Sequence, residues 1–563
     1  MKRRHLAAIV FVGAASVASV VSAKPPPGGQ GEQNAQTTEV QILALNDFHG
    51  QLRPPDATSS GGRIGATAAG GAEYLASYVR DLRATNPNSL FVSAGDVIGA
   101  TPLVSAIFHD EPTIEAMNLM GLDYNGVGNH EFDEGAAELT RMQEGGCHPV
   151  EGCFGGDGFE GADFEFLAAN VTYKDTGETI FPPYAIHEFP GVKVAVVGMT
   201  LEGTPNIVTA AATADIDFHD EADSVNALVP LLKRQGIETI IVLLHEGGST
   251  GLPLNETTIN SCGTPTGPIV DVVKRFDKEI DLVVTGHTNW ALNCANFAGT
   301  GIMVTGAASV GRVVTDVDLT INRATKEVAA ARINNVIVRR DVTPAADLTA
   351  LINKYGEIAA PTENRVIGTA PLPLTRTANA AGESSLGDII ADAQLWATSG
   401  PSWPTANGAP AVVAFMNAGG IRADIGTGEI TYGEAFSVQP FANVLVTMDM
   451  TGAQIDALLE QQGQPGVNGV LQISGSLAYD RSLSAPAGSR ISNIRIGGVP
   501  VVASTTYRVT VNNFLADGGD GFSTFTQGTN RFVGEIDLDA FARYVEFLGT
   551  VQPGPQNRIT LVP

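Results

Sequence analysis

Short hydrophobic runs rich in β-branched residues recur between residue 39 and about residue 320, and segments with helical spacing of apolar residues separate them. The short runs predict strands at Val40–Leu45, Leu90–Ser93, Phe166–Ala169, Val192–Gly198, Thr239–Leu244 and Leu282–Thr285. The helical spacing predicts helices at Ala72–Leu82, Thr113–Met120 and Ala222–Lys233. Because strands and helices alternate, we expect a layered α/β domain with a β-sheet sandwich flanked by helices. A later run, Gly311–Thr320, is typical of an edge strand or a second-sheet strand, so the sheet need not be wholly parallel.

The pattern then changes at residues 343–365, which are predicted to form a linker helix between two domains. A helix start at Thr343 is followed by apolar residues on one face, and Ala360-Pro361 is predicted to stop the helix. Residues 366–563 are predicted to form a second α/β domain that binds the substrate. Its signals are strands at Val412–Phe415, Val444–Met450 and Tyr507–Val511, and a helix at 451–462. The two predicted domains therefore comprise residues 39–342 and 366–563.

Length and composition agree with two folded domains. A chain of 563 residues exceeds one ordinary core, and 44% hydrophobic with 17% charged residues excludes a mainly disordered chain. The formal charge is −27, from 60 acidic and 33 basic residues. This balance argues against a stable nucleic-acid partner. An anionic small-molecule substrate requires metals or local arginines that reverse the sign at the site.

The first 23 residues are predicted to be a signal peptide. A basic start (Lys2, Arg3, Arg4) precedes a weakly apolar run that ends in Val21-Ser22-Ala23, a small-x-small cleavage pattern. An uncleaved membrane anchor is the alternative. Residues 24–38 are predicted to be a disordered leader. We therefore expect an exported protein, secreted or periplasmic, with no membrane span after cleavage and an oligomeric state that the sequence leaves open.

Export permits disulfide bonds, and the chain has four cysteines. Sequence alone allows three connectivities. We favour the local pairs Cys147–Cys153 and Cys262–Cys294, because the members of each pair lie within one connection. A structural zinc site is the rival, but no CxxC spacing occurs.

Polar residues that bind metals recur where the predicted strands end. These strand-end residues are Asp47, His49, Asp96, Asn129, His130, His245 and His287. Because the carboxyl ends of strands in an open α/β sheet converge on one crevice, we expect these residues to meet there. A single strand-end Asp or His is usually a helix cap or an ordinary polar group, but the joint pattern is hard to explain that way.

This donor set suits two divalent cations such as Mn, Zn, Co, Fe or Mg, and it contains too much nitrogen for calcium. One carboxylate must bridge two ions about 3.5–4 Å apart, and Asp96 is the candidate. Two such ions clamp a phosphate oxygen and generate hydroxide at neutral pH.

An ordered set of motifs resembles the calcineurin-like metallophosphoesterases and, more narrowly, the 5′-nucleotidase family. The motifs are LNDFHGQL (45–52), SAGDVIGATPL (93–103), GNHEFD (128–133), AAN (168–170), LLHEGG (243–248) and GHTN (286–289). The resemblance implies one metal on Asp47, His49 and Asp96, and it implies a second metal on Asp96, Asn129, His245 and His287. Many relatives have Gly-His-x-His, whereas this chain has Asn289, a candidate weak ligand through its amide oxygen.

The same resemblance assigns a catalytic pair. It implies that His130 assists the leaving group and is oriented by Asp133. Imidazole beside a carboxylate is suited to proton transfer. An alternative for Asp133 is to cap a helix that begins near Glu134, and both roles are compatible.

Motifs in the second domain indicate a nucleotide pocket. NAGGIR, TYGEAFSVQPF and VNNFLADGGDGF follow in the order found in the 5′-nucleotidase C-terminal domain. The resemblance implies that the nucleoside is bound by Asn417, Arg422, Phe441, Phe514 and Asp520. Two aromatic rings on loops are suited to stack a base, at about 1–3 kcal/mol per base. Arg376 is a further candidate for phosphate or base contact.

Together these features predict an exported hydrolase that removes phosphate from nucleotides by attack of a metal-bound hydroxide. A 2′,3′-cyclic-nucleotide phosphodiesterase and a nucleotide-sugar hydrolase remain as alternatives, because the same metals serve all three reactions. A non-catalytic nucleotide-binding protein would require a broken metal set. An exported nuclease is disfavoured by the charge of −27.

Overall fold

The computed structural model describes residues 19–22, 36–57, 60–154, 158–209, 211–400, 409–441 and 443–563. Most of the predicted signal peptide and leader lies outside these ranges. Residues 19–22 have the backbone of a short strand, and the predicted cleavage after Ala23 is not tested by it.

The first part of the chain, up to Ile337, consists mainly of strands with helices between them. In chain order the strands are β1 (Ser19–Ser22), β2 (Thr37–Leu45), β3 (Arg63–Ile64), β4 (Thr67–Ala68), β5 (Ser89–Ser93), β6 (Tyr124–Gly126), β7 (Glu165–Leu167), β8 (Val171–Tyr173), β9 (Tyr184–Phe189), β10 (Val192–Thr200), β11 (Ile216–Phe218), β12 (Thr239–His245), β13 (Leu282–Thr285), β14 (Ala291–Cys294), β15 (Met303–Ala307), β16 (Val313–Asn322) and β17 (Val328–Ile337). The helices are α1 (Ala72–Arg83), α2 (Leu103–Ala106), α3 (Glu111–Met120), α4 (Ala136–Glu144), α5 (Glu221–Arg234) and α6 (Pro268–Arg275).

Two sheets form the centre of this part. The first has the order β1-β17-β16-β2-β5-β6-β7, and the second has the order β14-β15-β13-β12-β10-β9. In both sheets the strands that carry the predicted metal ligands run parallel to one another. The two sheets pack face to face, and helices cover their outer faces, so the predicted layered α/β sandwich is confirmed.

Alternation along each strand explains this packing. In β2, Val40, Ile42 and Ala44 face the second sheet, whereas Leu43 and Leu45 face the helices. In β12, Ile241 likewise lies between the sheets. Because successive side chains point to opposite faces, a strand buried on both faces is hydrophobic throughout.

One sequence expectation for this part is wrong. The run Gly311–Thr320 contributes to β16, which is neither an edge strand nor part of the second sheet. It lies between β17 and β2 and is antiparallel to both. The alternation of a strand shows which side chains are buried, but it does not show which strands are its neighbours.

A long helix, α7 (Ala346–Glu363), joins the two parts of the chain. Its apolar face, with Leu348, Ile352 and Tyr355, belongs to the core cluster formed with the first sheet's helices. The predicted stop at Ala360-Pro361 is wrong, because Pro361 lies inside the last turn and the helix continues to Glu363. Pro361 has no N–H for the carbonyl oxygen of Glu357, but only two helical residues follow it, so the helix loses this one hydrogen bond and ends shortly afterwards.

The second part has its own sheets. Its strands are β18 (Val366–Ala370), β19 (Val413–Met416), β20 (Gly428–Thr431), β21 (Val444–Thr451), β22 (Gln472–Ile473), β23 (Leu477–Ser482), β24 (Ile491–Ile496), β25 (Val499–Pro500), β26 (Thr506–Asn512), β27 (Thr529–Ile536) and β28 (Ile559–Val562). Its helices are α8 (Ser385–Ser399), α9 (Tyr432–Val438), α10 (Gly452–Gln461), α11 (Asn513–Ala516) and α12 (Asp537–Leu548).

The main sheet here has the order β22-β19-β26-β21-β27. Helix α10 packs on one face with Val413 and Phe415, and helices α8 and α12 pack together in a separate cluster with Met416. The second α/β domain expected from the sequence is therefore present. Helix α9 also contacts α7, so the two parts of the chain touch through the linker helix.

Both disulfide bonds favoured from the sequence are present. Cys147 pairs with Cys153, and Cys262 pairs with Cys294, with Cα–Cα distances of 4.5 and 4.6 Å. The first bond closes a loop of the α4–β7 connection, and the second ties a long loop to β14. Within the described part of the chain, no helix is long and apolar enough to cross a bilayer.

Candidate active site

Loops at the carboxyl ends of strands from both sheets meet in one place. Asp47 and His49 follow β2, Asp96 follows β5, Asn129 follows β6, His245 ends β12 and His287 follows β13. The metal-binding atoms of five of these residues form two groups, Asp47-His49-Asp96 and Asp96-His245-His287. Within each group the atoms all lie within 4.8 Å of one another. The crevice therefore lies at the shared edge of two sheets, whereas the sequence argument used the edge of one open sheet.

Backbone hydrogen bonds join the first two loops. The N–H groups of Asp47 and His49 donate to the carbonyl oxygens of Gly95 and Asp96, each at 2.9 Å. Glycine is required at position 95, because its φ is +91° and a Cβ atom there would lie 2.6 Å from His245 Nδ1. The close approach of these loops depends on that missing side chain.

Several candidate ligands have a left-handed backbone. Asp47, His49, Asp96, His287 and Asn289 have φ between +48° and +68°. This conformation is uncommon outside glycine and costs on the order of 1–3 kcal/mol at each residue. Its concentration at one crevice indicates that the fold holds these side chains for a function.

In the second group, Asp96-His245-His287, nitrogen and oxygen atoms that can bind a metal lie close together. His245 donates through Nδ1 to the carbonyl oxygen of Ala94 at 2.7 Å, which leaves Nε2 facing the crevice. That Nε2 lies 3.1 Å from both Asp96 Oδ2 and Asn129 Oδ1, and His287 Nδ1 lies 3.0 Å from the same Asn129 oxygen. Neutral imidazoles and an amide oxygen around a carboxylate are the donor set that a divalent cation requires.

The first group, Asp47-His49-Asp96, also brings imidazole nitrogen and carboxylate oxygen atoms together. His49 Nδ1 lies 2.9 Å from the Gly99 carbonyl oxygen, so its Nε2 is directed to Asp47 Oδ1 at 4.0 Å and Asp96 Oδ2 at 3.8 Å. Asp47 Oδ1 is buried and has no hydrogen-bond partner among the described residues. An unpartnered buried carboxylate oxygen is costly unless a cation is bound beside it. Asp96 belongs to both groups, as the predicted bridging role requires.

Burial and neighbouring charges shift the pKa values of these residues. Burial raises the pKa of Asp47 to about 7 and lowers the pKa of His49 to about 3. Burial, with the charge on His245, lowers the pKa of His287 to about 4. Burial opposes protonation of His245, but the Asp96 carboxylate outweighs it and raises the pKa of His245 to about 10.

Asn289 follows His287 by two positions and is half-buried. Its left-handed φ of 61° resembles that of the other candidate ligands. Its role as a weak ligand stays a prediction.

His130 lies beside the two groups and is paired as expected. Its Nδ1 lies 2.8 Å from Asp133 Oδ2, and its backbone N–H donates to Asp96 Oδ1 at 2.9 Å. Burial lowers the pKa of His130, but Asp133 and Asp96 outweigh that effect and raise it. The helix-cap alternative for Asp133 is wrong, because α4 begins at Ala136 with Gly135 as its N-cap residue. Instead Asp133 follows a 3₁₀ turn, His130–Phe132.

Glu131 is a site residue that sequence reasoning missed. Its buried carboxylate accepts backbone N–H groups from Asp96 at 2.9 Å, Val97 at 2.8 Å and Gly128 at 2.8 Å. Burial raises the pKa of Glu131 to about 7. It thus fixes the loop that carries Asp96. The only sequence signal was an acidic residue beside His130 in a motif whose other members attracted attention first.

A cleft begins at this crevice and extends to the second part of the chain. Asn129, His130, Asp133 and His287 line one end. The other end is lined by the predicted nucleotide-binding residues Asn417, Arg422, Phe441, Phe514 and Asp520. The structure therefore brings members of both predicted residue sets into one cavity.

Hydrogen bonds fix the polar wall of the cleft. Asn417 donates through Nδ2 to Asp520 Oδ2 at 2.8 Å and accepts from Asn512 Nδ2 at 3.1 Å. Asn468 Nδ2 lies 3.4 Å from the other Asp520 oxygen. Asp520 has a φ of +54°. These contacts hold the carboxylate at the surface of the cleft, where it is able to accept hydrogen bonds from hydroxyl groups.

Phe514 rests directly on the backbone of Gly519. A Cβ atom at Gly519 would lie 2.5 Å from the Phe514 ring. The glycine-rich turn therefore has a steric role, since it makes space for the aromatic wall.

Arg422 supplies positive charge near the crevice. Its guanidinium carbon lies 5.7 Å from the centre of the Phe441 ring. Burial and the nearby Arg376 lower the pKa of Arg422, whereas Asp96 and Asp133 favour its charge. Arg376 itself is exposed and is not among the residues that line the cleft. Its backbone N–H donates to Asp424 Oδ1 at 2.7 Å, and its predicted substrate contact stays a prediction.

A wall from the first part of the chain was also missed. Ile207, Val208 and Thr209, just after a 3₁₀ turn at Thr204–Asn206, line the cleft opposite the second part. That turn contacts Gly519–Gly521. No polar or motif signal distinguishes this segment in the sequence.

Comparison with known proteins agrees with this architecture. The sequence model of the calcineurin-like phosphoesterases matches residues 40–290, and that of the 5′-nucleotidase C-terminal domain matches residues 366–527. The cell wall protein Lmo0130 of Listeria monocytogenes serovar 1/2a is 32% identical over 557 residues, which cover 93% of this chain and 69% of that protein. The chain belongs to the 5′-nucleotidase family.

Two further similarities concern this family. A crystal structure titled 5′-nucleotidase precursor, from Thermus thermophilus, has a TM-score of 0.74 at 28% identity, covering 93% of this chain and 99% of that chain. Endonuclease YhcR of Bacillus subtilis strain 168 is 31% identical over 513 residues, covering 90% of this chain and 39% of that protein. This chain thus spans about two-fifths of the length of the Bacillus relative.

Family membership confirms the sequence-based assignment to the phosphoric ester hydrolases of the 5′-nucleotidase family and the two-domain α/β fold. The calcineurin-like phosphoesterases are a divalent-metal-dependent class, so the expectation of divalent metal holds at that level.

Proposed function

We propose that this chain is an exported, metal-dependent hydrolase that removes phosphate from nucleotides. One observation carries the proposal: a single cleft is lined at one end by Asn129, His130 and His287, and at the other by Phe441, Phe514 and Asp520. A nucleotide has a phosphate for the first end and a base and sugar for the second.

The donor atoms described above fit two divalent ions. Asp47, His49 and Asp96, with Asn289, would hold one ion, and Asp96, Asn129, His245 and His287 would hold the other. When bound, such ions polarise phosphate oxygens and activate water for in-line attack. The mixed nitrogen and oxygen donors suit Mn, Zn, Co, Fe or Mg, and the imidazoles favour zinc, cobalt and iron over magnesium, which prefers oxygen donors.

His130 is positioned to donate a proton to the leaving oxygen of the ester. Asp133 holds its Nδ1 at 2.8 Å, so Nε2 is the nitrogen available to substrate. The raised pKa of His130 keeps more of the imidazolium form at neutral pH, which is the form that donates.

The remaining residues select the nucleoside. The rings of Phe441 and Phe514 offer apolar surface for a base, and the Asp520 carboxylate is suited to ribose hydroxyl groups. Arg422 is a candidate partner for a phosphate oxygen, because guanidinium groups bind phosphate through paired hydrogen bonds.

The test follows both phosphate release and, by chromatography, the nucleotide products formed by metal-depleted and then Mn-reconstituted protein, because cleavage of a cyclic diester, a nucleotide sugar or an oligonucleotide frees no inorganic phosphate. The substrates would be AMP, ADP, ATP, UDP-glucose, 2′,3′-cyclic AMP, p-nitrophenyl phosphate and a short oligonucleotide. We expect metal-dependent release that strongly favours nucleoside phosphates, and loss of it in Asp96→Ala. No release from any substrate despite bound metal would contradict the proposal.

The same panel decides between the alternatives. A 2′,3′-cyclic-nucleotide phosphodiesterase or a nucleotide-sugar hydrolase would prefer its own substrate over AMP. A nuclease, as the name of the Bacillus relative suggests for that protein, would cleave the oligonucleotide. The net charge of −27 disfavours that outcome, because a long polyanion would be repelled.

Export is proposed on the basic start and apolar run of residues 1–23. The Listeria relative is described as a cell wall protein. Two disulfide bonds agree with an oxidising compartment.

A further inference from the structure

A second cluster of metal-binding side chains lies outside the cleft. His109, Glu134 and His148 bring one donor atom each to within 4.8 Å of one another. We infer that these three residues form a surface site for a divalent transition-metal ion of the zinc class, separate from the two-metal crevice. It is an additional ion-binding function of this chain.

The first pair of donors is already in contact. His109 Nδ1 lies 2.6 Å from Glu134 Oε2, and its other ring nitrogen lies 3.7 Å from a Glu151 carboxylate oxygen. The His109 side chain is 17% exposed and that of Glu134 is 47% exposed, so an ion from solvent has access. Imidazole nitrogen with carboxylate oxygen is a common zinc donor combination.

His148 is presented to this pair by a rigid loop. The loop is closed by the disulfide between Cys147 and Cys153, and a pair of backbone hydrogen bonds joins His148 to Gly152. The His148 Nδ1 accepts the backbone N–H of Glu151 at 3.1 Å. This tautomer carries its proton on Nε2, so Nε2 becomes a metal donor when the ring proton moves to Nδ1 and the hydrogen bond from Glu151 is given up. No hydrogen-bond partner of Nε2 lies among the described residues.

The two imidazoles are stacked, with centroids 3.9 Å apart and planes at 11°. In this arrangement the nitrogen lone pairs lie in nearly parallel ring planes and do not converge on one point. Binding of one ion by both rings therefore requires the His148 side chain to rotate out of the stack. The carboxylates of Glu134, Glu138 and Glu151, which all act on His109, provide the negative charge that attracts a cation.

The cluster is joined to the catalytic segment through the chain. Glu134 directly follows Asp133, the partner of His130. His109 directly precedes Asp110, whose buried Oδ2 accepts the Gly99 N–H at 3.0 Å. An ion bound here would therefore connect the disulfide loop to two segments that hold the active-site loops.

Zinc stoichiometry tests the inference on the full chain with both disulfides intact. Chelator-treated protein would be dialysed against a series of free Zn²⁺ concentrations, and zinc per chain measured by elemental mass spectrometry. The variants are His148→Gln and Glu134→Gln, and the matched control is His219→Gln. His219 is exposed and lies outside both metal clusters.

We expect wild type and His219→Gln to bind one more zinc per chain than His148→Gln and Glu134→Gln at the same free Zn²⁺. We also expect the difference to persist when Asp96→Asn is added to every protein, because the crevice is not involved. Equal zinc binding by wild type and both cluster variants over the whole series would overturn the inference. Circular dichroism and thiol titration verify that each variant is folded and oxidised, and two independent variants guard against the failure of one.

Discussion

The ring of Phe441 lies nearly parallel to the imidazole of His130, with centroids 5.6 Å apart and planes at 15°. One residue comes from the second part of the chain and the other from the metallophosphoesterase part. The proposed base-binding wall and the proposed proton donor are therefore in direct contact. In the proposed function, substrate selection and chemistry belong to two separate cores, and this contact is one place where those cores meet.

Replacement of Phe441 tests this arrangement. We expect Phe441→Ala to raise the KM for AMP roughly 5- to 150-fold, which corresponds to a stacking loss of about 1–3 kcal/mol. The KM for p-nitrophenyl phosphate, which has no base, should change much less. Steady-state kinetics on both substrates measure the difference.

Phe547→Ala is the matched control for that experiment. Phe547 is in the same part of the chain but 67% exposed on α12. Phe547→Ala should leave the KM values for AMP and for p-nitrophenyl phosphate unchanged. An equal rise for both substrates in Phe441→Ala would show that the ring acts on the catalytic site and not on base binding.

Glu131→Gln tests the support of the metal-binding loop. An amide in place of the carboxylate would put an NH₂ group against backbone N–H donors, which leaves buried groups unpaired. We expect metal affinity to fall about 10- to 100-fold, the range found for residues that orient ligands. Equilibrium dialysis with Mn²⁺ provides the measurement.

The exposed Glu160→Gln is the control for loss of one negative charge. Unchanged metal affinity in Glu131→Gln, with the fold intact, would remove Glu131 from the site.

Gly519→Ala tests the steric fit beneath Phe514. The new methyl group would lie 2.5 Å from the ring, so the ring must move although the glycine's φ is not positive. We expect a rise in the KM for AMP, with kcat for p-nitrophenyl phosphate retained. Gly426→Ala is the control, since a Cβ atom there meets nothing within 4 Å. If AMP binds equally well to both variants, Phe514 does not form part of the base site.

Asp537 makes the stability of the second part depend on pH. Burial raises the pKa of this carboxyl from 3.8 to about 7, with Leu538 N–H and Gln439 Nε2 as its hydrogen-bond partners. A raised folded-state pKa means that its stabilising contribution is present below about pH 4 and is lost as the pH rises through about 7. Asp537→Asn should remove this dependence.

The expected gain of Asp537→Asn over wild type is at most about 1.4 kcal/mol for each pH unit between 4 and 7. Gln439 is able to turn its amide to accept from the new Asn, because its Oε1 has no partner among the described residues. Thermal unfolding midpoints of wild type and Asp537→Asn at pH 5 and pH 8 measure this gain in stability. Asp175→Asn, at an exposed position, is the control. A constant difference across pH would show that Asp537 titrates normally.

The strands and helices predicted from local pattern lie close to their observed bounds, although many other elements in the described part of the chain were not predicted. Leu282–Thr285 is the same in prediction and structure, and Ala72–Leu82 differs by one residue. Strand-end position also predicted that Asp47, Asp96 and His245 would meet. These predictions succeeded because side-chain alternation and strand ends are properties of a short segment.

The sequence by itself determined the α/β class, the two-part organisation and the chemistry of the ligand set, because those depend on local periodicity and on residue type. Only the tertiary structure decided which strands are neighbours, as with β16 between β17 and β2. Only it showed that Glu131 supports Asp96, that Ile207 and Phe514 line the same cleft, and that His109 stacks on His148. These contacts join residues whose partners are set by the packing of whole sheets and loops, and no short-range pattern records that packing.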